Sequence, residues 1–390
     1  MPSTPEALSE RAIAILADLV AFDTTSRCSN LELIAYVEAK LRESGVASRR
    51  IANADGSKAN LIATLGPTVA GGIVLSGHTD VVPVDGQPWT SDPFTLTERD
   101  GKLFGRGSAD MKGFLALALA AAPDFANAGL SRPAHLAFSY DEEIGCLGAP
   151  DLVAEIVREI PRPEIVLVGE PTLMEVVSGH KGIAVYRITA HGREAHSSLT
   201  HLGVSANMAA ARLMGRLADL AEALERTADP ASPFHPPHAT LTIGTVQGGT
   251  AGNILARRCE FLFDLRCPPG QDAETILGPF RAEVAALDAA LKARAPEAGV
   301  VLERLADVPP LHPEADGAAE RLVRRLAGDN GPGRAVAYAA EAGQFQLAGY
   351  STVICGPGSI EQAHQADEYV ERAQMQRGAA FMARLVEALR

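Results

Sequence analysis

Hydrophobic residues recur at helical spacing over four early stretches of the chain, 6–22, 31–43, 111–128 and 147–158. Between them lie short aliphatic and β-branched runs at 61–65, 73–76, 135–140 and 165–168. Helix and strand alternate, and that order predicts an α/β layer: a mostly parallel sheet with helices on both faces. In such sheets ligands sit beyond the carboxyl ends of the strands.

After Ser178 the rhythm changes. Strands are predicted at 183–190, 239–246, 259–265 and 300–305, with helices at 204–228 and 273–294. The order βαββαβ is that of a ferredoxin-like split unit, an antiparallel sheet with helices on one face. It reads as an α+β domain inserted into the first, over 179–309. The Pro-rich segment Val308-Pro309-Pro310-Leu311-His312-Pro313 reads as the return linker. Helices at 314–327 and 372–388 around a strand at 352–355 then complete the first domain, 1–178 and 310–390.

Composition narrows the class. Of 390 residues, 47% are hydrophobic and 21% charged, which excludes disordered and fibrous chains. The longest apolar run, Phe114 to Ala122, is far short of the roughly 18 residues of a spanning helix. Lys and Arg number 35 against 48 Asp and Glu, a net charge of −13 with no basic run. That argues against a nucleic-acid partner. A small anionic substrate remains open, because local charge decides that. Five scattered cysteines without a CxxC pair fit a reducing compartment and no disulfide framework. Glu6 and Glu10 precede the first apolar stretch, and no basic segment does, so it reads as an amphipathic helix and not a secretory signal. The expectation is a cytoplasmic protein with no membrane partner.

Five strings carry candidate chemistry. Gly77-His78-Thr79-Asp80-Val81-Val82-Pro83 follows a strand, and alternation points His78 and Asp80 the same way. This suits a metal-bound histidine with a carboxylate behind it; it equally suits a plain His–Asp bond in a turn. In Gly105-Arg106-Gly107-Ser108-Ala109-Asp110, Asp110 stands where a helix begins and could simply cap it. Asp141-Glu142-Glu143 crowds three carboxylates at one strand end, which a dication would relieve; an exposed acidic loop is the alternative. Gly169-Glu170-Pro171 could be only a turn, and His364 in Gln362-Ala363-His364-Gln365 only an exposed loop residue. Together the strings say more. A parallel sheet gathers its strand ends at one edge, which brings His78, Asp110, Glu143, Glu170 and His364 together. Two imidazoles and three carboxylates suit zinc, cobalt or manganese. One carboxylate can bridge two such ions. Glu142 and Asp80 are left without a ligand's role.

The strings GHTDVVP, GRGSADMKG, DEEIGCLG, GEPT and GPGSIEQAHQADEYVE closely resemble the dinuclear-zinc amidohydrolases of the M20 peptidase family. The resemblance runs from Phe22-Asp23-Thr24-Thr25-Ser26 to Glu371. It implies two divalent cations, zinc or alternatively cobalt. His78 and Glu170 would hold one, Glu143 and His364 the other, and Asp110 would bridge them. Asp80 would orient His78. The nucleophile would be a metal-bridged hydroxide, with Glu142 as general base and acid. It also implies a cis bond between Asp110 and Met111.

The resemblance gives the inserted domain the roles of lid and homodimer interface. His196 in Gly192-Arg193-Glu194-Ala195-His196 would stabilise the oxyanion, and Asn253 would bond the substrate. Arg266 would grip its α-carboxylate, bidentate as guanidinium and carboxylate pair. Without the resemblance, these three read as a loop histidine, a Gly-rich hairpin and a surface ion pair. The stretches AFDTTSRCSNLELIAYV and GPGSIEQAHQADEYV are most similar to members that release acetate from N2-acetyl-L-ornithine, a step of arginine biosynthesis. Glu341 is a candidate partner for the substrate ammonium, and Gly358 for shaping the same pocket. Other N-acyl amino acids or dipeptides, and a metal-binding relative without catalysis, are the alternatives. Glu142 and every ligand position are present, which favours an enzyme. The remaining histidines match no ligand position. Trp89 reads as packing near the site mouth and Cys146 as packing at a helix start.

Overall fold

Six strands form the central sheet, in the order Ser48–Ala52, Ala59–Leu65, Ala134–Ser139, Ile73–His78, Ile165–Val168 and Ser351–Ile354. The last four run parallel, and the first two are added antiparallel at one edge. The structure is a computed structural model, and it describes residues 3–390.

Alternation along the strands sorts their side chains. Leu61, Leu136, Ile73, Leu75, Leu167 and Val353 enter one core with the helices Pro5–Val20, Lys112–Asn127 and Arg372–Leu389. The opposite parity, which includes Ser76 and Ser139, faces Glu341 at the start of the helix Ala342–Leu347. That helix packs with Ala149–Glu159 on this second face. The expected two-faced α/β layer is what the chain forms.

The helix Lys112–Asn127 explains the longest apolar run. Its residues from Lys112 to Ala122 are all buried, against Pro5–Val20 on one side and Arg372–Leu389 on another. A helix enclosed all round can be apolar all round. Each buried leucine there contributes about 1.5–3 kcal/mol, so a charge at Leu117 would unseat the layer.

The chain divides into two compact units. The second comprises His180–Pro310 with Ala335–Ala339, and the first comprises the rest. The second unit has a four-stranded antiparallel sheet, ordered Thr240–Gly248, Arg258–Cys267, Gly182–His191, Gly299–Val308. With the helices Ala206–Glu225 and Ala273–Arg294, the chain order is βαββαβ. Ala184, Tyr186, Ile188 and Ala190 alternate into its core, where Tyr186 stacks on Phe263 at 5.1 Å.

Some elements differ from the expectation. The helix expected at 314–327 begins at Ala318. Glu314 is held by the Ser351 hydroxyl at 2.6 Å and Asp316 is left-handed (φ 62°), so the chain turns before it coils. The three-residue strands Thr97–Arg99, Lys102–Phe104 and Tyr369–Glu371 form a small sheet that the hydrophobic pattern does not announce. Strands so short carry no periodicity to read. Among the described residues no helix is long and apolar enough to cross a membrane.

Candidate metal centre

Three neighbouring parallel strands deliver the first groups. Ile73–His78 ends on His78, flanked by Ala134–Ser139 and Ile165–Val168, which run on into Asp141-Glu142-Glu143 and Gly169-Glu170. Gly169 sits so close to the central helix that a Cβ would lie 2.0 Å from the Phe114 ring. Only glycine lets that strand end approach.

Asp110 lies between two histidines. Its Oδ1 is 3.0 Å from His78 Nε2 and its Oδ2 is 3.4 Å from His364 Nε2. Glu170 Oε1 stands 3.9 Å from His78 Nε2, and Glu143 Oε2 is 2.9 Å from His364 Nε2. Two candidate ligand sets result, His78 with Asp110 and Glu170, and Asp110 with Glu143 and His364. The first is buried; in the second the His364 side chain is 53% exposed. Glu143 Oε1 and Glu170 Oε1 are buried with no hydrogen-bond partner among the described residues. Orphaned carboxylate oxygens beside imidazoles are what a pair of divalent cations would satisfy, so the donor set fits them.

The electrostatics point the same way. Burial, with the charge of Asp110, pushes the Glu143 carboxyl up to about 7. Burial likewise pushes Glu170 up, again with Asp110 behind it. Glu142 is pushed up to about 8 by burial and by Glu143, Asp110 and Asp80, with His78 opposing. Burial also works against ionised Asp110, but hydrogen bonds from His364 and His78 hold it below the usual range. Hydrogen bonds to Asp110 and Glu143 lift His364 to about 10. As protein groups alone, these carboxylates resist ionising together; a cation would relieve the conflict.

Asp80 departs from expectation. His78 Nδ1 bonds the main-chain oxygen of Asp80 at 2.9 Å, while the carboxylate is 3.7 Å away. That carboxylate accepts instead the main-chain N–H of Glu142 (3.0 Å) and of Glu143 (3.3 Å), and the Ser26 hydroxyl (2.7 Å). Orientation of His78 by Asp80 therefore comes through the backbone, because the acidic loop engages the side chain. Ser26 N–H also donates to Val81 O at 3.2 Å, which gives the FDTTS string its place beside the site.

Asp110 does not cap its helix: Met111 occupies the cap position without a side-chain bond. The loop leading to it turns at Gly107 (φ 81°), where a Cβ would meet Val81 Cγ1 at 2.7 Å. The Asp110–Met111 bond is cis. Glu368, which the sequence reading passed over, is 1% exposed and accepts the N–H groups of Gly107, Ala109 and Asp110 at 3.1, 2.9 and 3.0 Å. The ADEYV string held it in view, but one sequence gives no sign of which backbone it faces.

Glu341 takes a different place from the one expected. It is fully buried, with Oε1 on the Ser76 hydroxyl at 2.6 Å and Oε2 on Ser139 at 2.8 Å. Both oxygens are engaged inside the sheet layer, so it is not available to a substrate ammonium. Gly358 lies against Ala109, and its carbonyl accepts Leu173 N–H at 2.6 Å. Cys146 is buried, with its thiol 3.3 Å from Glu142 Oε1. Trp89 lies with its ring 5.1 Å from the Arg106 guanidinium. His135 is buried on the Thr64 hydroxyl at 2.9 Å.

Within the second unit, His196 and Asn253 are neighbours: Ser197 N–H donates to Asn253 O at 2.9 Å, and His196 bridges Ile254. His196 is exposed and its Nδ1 is engaged by Ser198 Oγ at 2.8 Å. Arg266 lies 3.4 Å from Asp264 on the strand Arg258–Cys267.

Peptidase family M20/M25/M40 matches residues 74–388 of the chain. The acetylornithine deacetylase of Myxococcus xanthus is 36% identical over 385 residues, 96% of either chain. Among solved structures, an M20 family metallo-carboxypeptidase from Sulfolobus solfataricus has a similar fold, at TM-score 0.77 and 15% identity over 96% of this chain and 98% of that one. So does a Bacillus subtilis protein described as a dinuclear metal-binding peptidase, at TM-score 0.61 and 15% identity over 98% and 99%.

Proposed function

The chain belongs to peptidase family M20/M25/M40, and from that premise we propose that it hydrolyses N2-acetyl-L-ornithine to L-ornithine and acetate, a step of arginine biosynthesis. As a member of that family it is a metallo-amidohydrolase. The observation that carries the proposal is the pair of ligand sets sharing Asp110, beside an unligated Glu142, in a chain 36% identical along its length to an acetylornithine deacetylase.

His78 and Glu170 would hold one cation, Glu143 and His364 the other, with Asp110 between them; zinc fits the donors best and cobalt also fits. When bound, the pair supplies a Lewis acid for the scissile carbonyl and a water of lowered pKa. Glu142 takes the water's proton and returns it to the leaving amine. Asp80 holds the loop of Glu142 and Glu143 in place through their N–H groups. His196 donates to the oxyanion, a contact of the kind that contributes about 2.7–4 kcal/mol. Arg266 pairs with the α-carboxylate and Asn253 bonds the substrate. The second unit is the lid and the homodimer interface. The protein works in the cytoplasm.

The test is steady-state hydrolysis of N-acetyl-L-ornithine beside N-succinyl-diaminopimelate and N-acetyl-methionine, with zinc or cobalt and with chelator. A preference for acetylornithine that chelation abolishes is expected. Metal-dependent preference for another of the three would overturn the substrate and keep the chemistry. No hydrolysis by a metal-loaded protein would overturn both.

A further inference from the structure

We infer that Glu368 is a positioning residue for the metal centre: seated with Arg106 between two loops, it fixes where Asp110 stands relative to His364. The inference rests on the reading of Asp110 and His364 as ligands.

Glu368 is buried, and so is Arg106, both at 1% exposure. Their ion pair, Arg106 Nη1 to Glu368 Oε2, measures 2.6 Å. The same oxygen accepts Gly107 N–H at 3.1 Å, and Oε1 accepts Ala109 and Asp110 N–H at 2.9 and 3.0 Å. The main-chain oxygen of Glu368 accepts Gly105 N–H at 2.9 Å. One residue thus gathers the backbone of the whole segment that ends in Asp110.

The other half of the link runs to His364. Arg106 Nη2 donates to Gln87 Oε1 at 2.6 Å, and Gln87 Nε2 donates to His364 O at 2.9 Å. Glu368 follows His364 by one short loop. A continuous chain, Asp110 backbone to Glu368 to Arg106 to Gln87 to His364 backbone, ties the shared ligand to the exposed one. A buried ion pair is weak evidence of stability alone, because desolvation offsets much of the attraction. This pair is spent on amides of a ligand loop. Groups that orient ligands from behind typically change metal affinity 10–100-fold when lost.

The experiment is calorimetric titration of the chelated, full-length protein with Co2+, with the visible spectrum of the cobalt form and the melting temperature of the chelated form. The proteins are wild type, Glu368→Gln, Arg106→Lys and Gln87→Ala. Glu368→Gln is expected to weaken cobalt binding at least 10-fold and to shift the cobalt spectrum. Gln87→Ala, which leaves the Gly107, Ala109 and Asp110 amides paired with Glu368, is expected to weaken one of the two equivalents and leave the other near its wild-type affinity. Should Glu368→Gln fail to fold, Arg106→Lys and Gln87→Ala carry the test. Variants that bind two equivalents with wild-type affinity and spectrum, differing only in melting temperature, would overturn the inference. A wild type that takes up no cobalt would overturn the metal reading itself.

Discussion

The Asp80 carboxylate accepts the main-chain N–H of Glu142 at 3.0 Å, so the residue behind His78 also sets the loop that carries Glu142. Asp80→Asn keeps the shape and removes the charge that the Glu142, Glu143 and Ser26 donors point at. We expect kcat to fall about 10–100-fold with KM little changed. An unaltered kcat in the metal-saturated variant would rule this out.

Glu142 has no ligand partner among the site residues and carries the proton in the proposed reaction. Glu142→Gln should lower kcat about 10²–10⁴-fold while metal content, read by atomic absorption, stays at the wild-type value. Loss of metal in parallel with activity would instead make it a ligand.

Removing the metal should also loosen the fold. Buried Glu143 and Glu170 oxygens would then lack partners. A cation bound only by the folded state, at a thousandfold excess over Kd, adds about 4 kcal/mol. Scanning calorimetry with and without chelator should therefore show a lower melting temperature in the chelated protein. Identical traces would count against any metal site.

His135 offers a pH test away from the site. Burial lowers it from 6.5 to about 4. Between those values the unfolded chain binds the proton and the folded one does not. Its contribution is complete above 6.5 and is lost as pH falls towards 4, a change of roughly 3 kcal/mol. Wild type should lead His135→Gln in stability at pH 8, with the lead shrinking at pH 5; a constant gap in urea unfolding would refute the assignment.

Glu341 ties two serines of adjacent strands. Glu341→Ala leaves the Ser76 and Ser139 hydroxyls short of a partner and should cost about 1–3 kcal/mol of stability. KM for acetylornithine should not move. A large rise in KM at unchanged stability would return Glu341 to the substrate pocket.

The strands and long helices were legible because each buries one face or all of itself, and that writes a period into the sequence. The candidate ligands stand out in the sequence for a related reason: His78, Glu143, Glu170 and His364 all follow an apolar run that ends at the same sheet edge. What escaped was pairing across distance. Glu368 meets Ala109 and Asp110 across about 260 positions, |i−j| of 259 and 258. Glu341 meets Ser76 across 265. A lone glutamate reads the same on a surface, in a pocket or beneath a sheet until its partners are placed. The sequence puts Asp80 two residues after His78, but which of its oxygens meets which donor depends on the turn of the acidic loop.

The strand Ser351–Ile354 pairs with Ile165–Val168, from which the second unit separates it in the chain. On the ribosome, then, five strands of the sheet and four of the five candidate ligands are made first, and the split unit is made before the sixth strand. His364 emerges when only the final strand and the helix Arg372–Leu389 remain to be added. In the proposed reading the exposed cation position is therefore completed last, and a chain truncated before residue 364 would leave Asp110 and Glu143 facing no histidine on that side.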